Sequence, residues 1–115
     1  MNVQLTRHAV ERLHTRTGLT VEDFLALYQQ ERLIPVGRET GSSRLHELFY
    51  SHARERCFVS IRDDKTSEVI TILPIDYHHN IAWKISPHAR QMARSVFYGE
   101  QPAAPLLEDL SLIHI

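Results

Sequence analysis

His8, Arg12 and Arg16 recur every four residues in the segment Thr6 to Arg16, T-R-H-A-V-E-R-L-H-T-R. On a helix they form one stripe beside a face carrying Ala9, Val10 and Leu13. An imidazole stacked beside two permanent cations suits binding or cleaving a phosphodiester. Cleaving RNA without a metal needs a group to take the 2′-hydroxyl proton, a group to protonate the leaving oxygen, and cations for the charged phosphorane. The same pattern also suits a solvated helix edge whose arginines pair with Glu11 or another carboxylate.

Two further groups carry usable chemistry. Asp76-Tyr77-His78-His79-Asn80 places a carboxylate, a phenol and two imidazoles between the apolar run Glu68 to Leu73 and Trp83-Lys84. Read as a loop after a strand, it lies where rigid scaffolds display functional groups, with Trp83 as a platform for a base. The alternative is an Asx-type turn with Trp83 in the core. His46, Arg44 and Arg62 form the last group, which a hairpin would bring to one exposed sheet face or leave as ordinary surface charge. Metal chemistry has little support. Adjacent His78 and His79 on an extended segment would point apart, and neither H-E-x-x-H nor a Cys/His ligand spacing occurs. There is no G-x-S-x-G and no glycine-rich phosphate loop, and Cys57 sits mid-strand as a small hydrophobe. No cofactor and no metal are expected.

The elements that must position these groups follow from periodicity and punctuation. Thr6 is a fitting N-cap for a first helix that Gly18 ends. Thr20 with Asp23 resembles a capping box, and Leu19 can staple to Phe24, opening a second helix that stops before Pro35. Gly37 to Ser43 reads as a loop. Arg44 to Ser51, Arg56 to Arg62 and Glu68 to Leu73 then read as strands of an antiparallel meander. Ser86-Pro87 opens an amphipathic helix carrying Ala89, Met92, Ala93, Val96 and Phe97, which Gly99 stops. The expected architecture is an α+β domain over residues 1–98: two N-terminal helices packed on a three- to four-stranded antiparallel sheet, followed by a C-terminal helix. Residues 99–115 form an acidic, apolar tail.

The bulk numbers constrain what such a domain can hold. With 115 residues and 43% hydrophobic side chains, the chain can bury one core. The formal charge of -1 argues against holding nucleic acid by overall field. Eleven of the thirteen bases are arginine, the planar donor that matches phosphate and carboxylate. Glu100, Glu108 and Asp109 make the segment from Gly99 acidic, so the body before it is slightly positive. Eight histidines would swing the charge positive near pH 6.5. A lone cysteine, no secretory signal and no membrane-length apolar run point to a cytoplasmic protein.

The H-A-x-x-R-x-x-x-R text of His8 to Arg16, followed by G-L-T-x-E-D at Gly18 to Asp23, resembles the RelE-like and BrnT-like small domains of bacterial toxin–antitoxin systems. The resemblance covers roughly residues 6–76. It implies two N-terminal helices on a twisted antiparallel sheet, a basic face that cleaves RNA, commonly on the ribosome, and a partner antitoxin covering that face. Carry-over by position reaches His8, Arg12 and Arg16. The added C-terminal helix and acidic tail depart from the pattern.

The resulting expectation is a toxin-type, metal-independent endoribonuclease. His8, Arg12 and His78 are its catalytic candidates, and Arg16, His46, Arg62, Asp76, Tyr77 and His79 its substrate-binding candidates. RNA or the ribosome and an antitoxin-like protein are the partners. The rival reading is a non-catalytic interaction or oligomerisation module that uses the apolar tail, giving a homo-oligomer with no membrane role.

Overall fold

A computed structural model describes residues 2–104. The first helix begins where the sequence places it. Thr6 is extended and its side chain accepts from the Ala9 amide, opening α1 (Arg7–Arg12). The helix then widens into a π-helical turn, Leu13–Thr17, and Gly18 closes it in the left-handed region at φ 71°. A side chain at Gly18 would also press on Ala53, 3.3 Å away. Thr20 and Asp23 form the reciprocal capping box that opens α2 (Val21–Gln29). Thr20→Ala should therefore cost about 1 kcal/mol while Thr20→Ser costs little, which urea unfolding of the two variants checks.

The fold is α+β, but its sheet has five strands and is mixed. The strands are β1 (Gln4–Leu5), β2 (Ile34–Arg38), β3 (Arg44–Ser51), β4 (Arg56–Asp63) and β5 (Glu68–Pro74), in spatial order β1-β5-β4-β3-β2. The meander expected from Arg44 onward is present as antiparallel β3-β4-β5. Two edge strands were not expected as part of it. β1 joins β5 in parallel, and β2 joins β3 antiparallel with a register shift between Pro35 and Gly37. Proline and glycine argue against a central strand, yet an edge strand needs only one of its sides paired and tolerates both.

Helices cover both faces. Ala9, Leu13, Phe24 and Leu27 from α1, the π turn and α2 bury Phe49, Phe58, Val69 and Ile72 on one face. On the other face Ala89, Ala93 and Val96 of α4 (Pro87–Phe97) bury Leu48, Tyr50, Cys57 and Val59. Ser86 caps α4 through the Ala89 amide, as the Ser-Pro signal indicates. A further helix, α3 (Ile75–Ile81), replaces the expected polar loop. Ile75 and His78, three residues apart, turn its inner side to the core. No helix among the described residues is long and apolar enough to cross a membrane. The tail's apolar run from Leu106 lies outside the described residues, and with it the interface proposed there.

Candidate functional site

The N-terminal stripe forms and runs alongside β5. His8 is exposed, with Nε2 3.1 Å from the Thr71 hydroxyl, and Arg12 is exposed on the following turn. Leu13 and Thr17 of the π turn point inward, Thr17 donating to the Leu13 carbonyl at 2.6 Å. Arg16 reaches across to β5, donating to the Ile72 carbonyl at 2.6 Å. Its guanidinium also lies 5.7 Å from the centroid of the Tyr77 ring, and Tyr77 is 52% exposed. His8 and Arg16 thus share an edge with Thr71 and Tyr77, and Arg12 is exposed between them in the chain. Of these, Thr71 is the residue missed in the sequence, where it reads only as one position of an apolar strand.

His78 follows Tyr77 but faces the interior. Its side chain is fully buried, with Nε2 2.8 Å from His46 Nδ1 and Nδ1 3.1 Å from the Trp83 carbonyl. The Trp83 ring packs 4.6 Å from His46 and 5.0 Å from His78, centroid to centroid. Burial, then the neighbouring imidazole and Arg44, hold His46 down at about 3. Burial likewise holds His78 down at about 4, against the Trp83 carbonyl. Both rings are therefore neutral near pH 7, and the network assigns their protons. A carbonyl only accepts, so His78 Nδ1 carries hydrogen. His78 Nε2 then accepts from His46 Nδ1–H, leaving His46 Nε2 a bare acceptor. That nitrogen has no hydrogen-bond partner among the described residues, and Glu39 Oε2 stands 4.0 Å from it. Because both nitrogens of His78 are occupied inside the fold, a phosphodiester at the surface edge cannot reach them in this arrangement.

Arg62 and His46 lie on opposite faces rather than on one exposed face. His46 pairs with Ile61, and Leu45 with Arg62, so strand alternation sends the two side chains apart. Arg62 is buried beneath α2, where its Nε donates to Glu47 Oε1 at 2.8 Å and a terminal nitrogen donates to Oε2 at 3.3 Å. Tyr28 donates its hydroxyl to the same Oε1 at 2.8 Å, and its ring lies 5.7 Å from the Arg62 guanidinium. Burial and the Glu47 carboxylate push the Tyr28 hydroxyl pKa up. Burial opposes the charge on Arg62, but Glu47 outweighs it and the net direction is up. Glu47 and Tyr28 were missed as partners. The signal was in the hairpin: a loop at 52–55 sets Ser51 opposite Arg56, and counting back makes Glu47 and Arg62 diagonal neighbours on one face.

Asp76 and His79 are both exposed on α3. Asp76 belongs to a cleft at the end of the sheet rather than to the His8 edge. No group of three or more metal-ligating side chains occurs among the described residues. No protein-family model matches the chain, and no curated protein and no solved structure matches it significantly.

Proposed function

We propose that the chain binds RNA along the His8–Arg16 edge and cleaves it there as a metal-independent endoribonuclease of the toxin type. The observation that carries this reading is the meeting of an exposed imidazole, the anchored Arg16 and the Tyr77 ring beside β5, with Arg12 exposed between His8 and Arg16 in the chain. Arg16 is anchored by the Ile72 carbonyl, so its charge is held in place before a phosphate arrives. Tyr77 offers a stacking surface for one base. In the step itself, His8 takes the 2′-hydroxyl proton, the 2′-oxygen attacks the adjacent phosphorus, and Arg12 and Arg16 hold the phosphorane. The 5′-oxygen then leaves with a proton from solvent, giving a 2′,3′-cyclic phosphate. Ribosome-bound RNA as substrate, and a protein partner that masks this edge, belong to the same reading.

Purified protein in EDTA is expected to cut RNA to cyclic-phosphate ends, and His8→Ala to lower the rate by about 10²- to 10⁴-fold. Arg12→Ala should lower it as well, without changing the thermal midpoint. Equal background cleavage by all three proteins would sink the reading.

A further inference from the structure

We propose that the cleft between α4 and the end of the sheet binds a nucleoside phosphate, with Arg56, Arg90 and Arg94 holding the phosphate and the apolar floor holding the base. The cleft has a volume of about 720 Å³, inside the range of roughly 300 to 1,000 Å³ usual for small-molecule sites. Two elements supply its charge. Arg56 opens β4, while Arg90 and Arg94 lie one turn apart on α4. Like charges at that helical spacing disfavour the helix, yet none of the three has a carboxylate within ion-pair distance among the described residues. An anion between them relieves the repulsion, and each planar fork suits two phosphate oxygens. Arg94 is already oriented, its guanidinium 5.8 Å from the Tyr50 ring centroid and 5.5 Å from that of Tyr98.

The floor decides what accompanies the phosphate. Buried Tyr50 and Cys57, with Pro74, Ile75 and Pro87, present an apolar surface that inorganic phosphate alone would leave wet. Glu55 and Asp76 line the same cleft. These carboxylates repel an acidic peptide but accept hydrogen bonds from ribose hydroxyls and base amino groups. The ligand is a free nucleotide or one unit of an RNA strand. Tyr77 of the His8 edge directly follows Ile75 and Asp76 of the cleft in sequence, on the same short helix. The cleft assignment does not depend on cleavage at His8.

Calorimetric titration of the full chain with AMP, UMP, inorganic phosphate and a poly-glutamate peptide tests this, alongside anisotropy of a labelled RNA hexamer. Arg56→Ala/Arg90→Ala and Arg56→Lys/Arg90→Lys are compared with the wild type, with circular dichroism to verify folding. Both positions are exposed, so both variants are expected to fold. The expected result is mononucleotide binding at least about tenfold tighter than phosphate, falling about tenfold or more in the alanine variant and less in the lysine variant. If only the hexamer binds, with the same arginine dependence, the ligand is a unit of a strand. Unchanged affinity in the folded alanine variant, phosphate binding as tightly as nucleotide, or preference for the peptide would each overturn the proposal. Arginine-dependent nucleotide binding without any RNA cleavage would instead remove the ribonuclease reading and leave this one standing.

Discussion

Acidifying this protein from pH 7 to about pH 4.5 is expected to remove several kcal/mol of its stability. His46 and His78 are buried as neutral rings, held at about 3 and about 4, whereas in the unfolded chain each titrates near the ordinary histidine value of about 6.5. The unfolded state therefore binds more protons throughout that window, and stability falls as pH falls. It is fully present above about pH 6.5 and is lost progressively as the pH descends toward the folded values. With both histidines contributing, the slope near pH 5 approaches two protons, about 3 kcal/mol per pH unit. Glu39 is the acid facing His46 at 4.0 Å, but it is half exposed, and Arg44 acts against it. Since whole domains are stable by roughly 5 to 15 kcal/mol, the effect is large enough to unfold this one in mild acid. Urea unfolding at a series of pH values measures the slope. His46→Leu should lower it by about one proton, and equal slopes in the two proteins would refute the account.

Helices α1, α2 and α4 were legible in the sequence because their ends are set by short-range chemistry. Thr6, the Thr20/Asp23 pair, Ser86-Pro87, Gly18 and Gly99 act where the sequence shows them acting. The three central strands were equally readable. The burial of their polar residues was not. From His46 to Ser51 every side chain of β3 is buried, because helices cover both faces of the sheet. Alternation then no longer separates inside from outside, so His46 and Arg62 read as a solvated face when they are interior. α3 was hidden for a related reason. Its inward positions are Ile75 and His78, and a histidine does not look like a core residue until a second histidine and the Trp83 carbonyl satisfy it. The His8 edge was legible up to Arg16. Its partners Thr71 and Tyr77 come from β5 and α3, and only the parallel pairing of β1 with β5 brings α1 against them.

Glu47→Ala is expected to destabilise the domain by about 3 to 5 kcal/mol, since it leaves the Arg62 guanidinium buried without its counter-charge. Arg62→Ala should cost a similar amount for the converse reason, with the Tyr28 hydroxyl the remaining donor to the carboxylate. Replacing both, as Glu47→Leu/Arg62→Met, should recover most of the loss, because two apolar side chains of similar volume need no desolvation compensated. Urea unfolding of Glu47→Leu, Arg62→Met and the double variant closes a double-mutant cycle whose coupling energy should be large and favourable to the pair. Additive single costs, or single costs below about 1 kcal/mol, would mean that water reaches the pair and that it behaves as a surface bridge. The same double variant bears on function. If Arg62 is wholly engaged by Glu47, its removal leaves RNA affinity and its salt dependence unchanged, whereas each arginine that touches phosphate adds about one to the salt slope. A reduced slope in the folded double variant would put Arg62 back on the RNA surface. An unchanged slope removes Arg62 from phosphate recognition and leaves it a structural partner of Glu47.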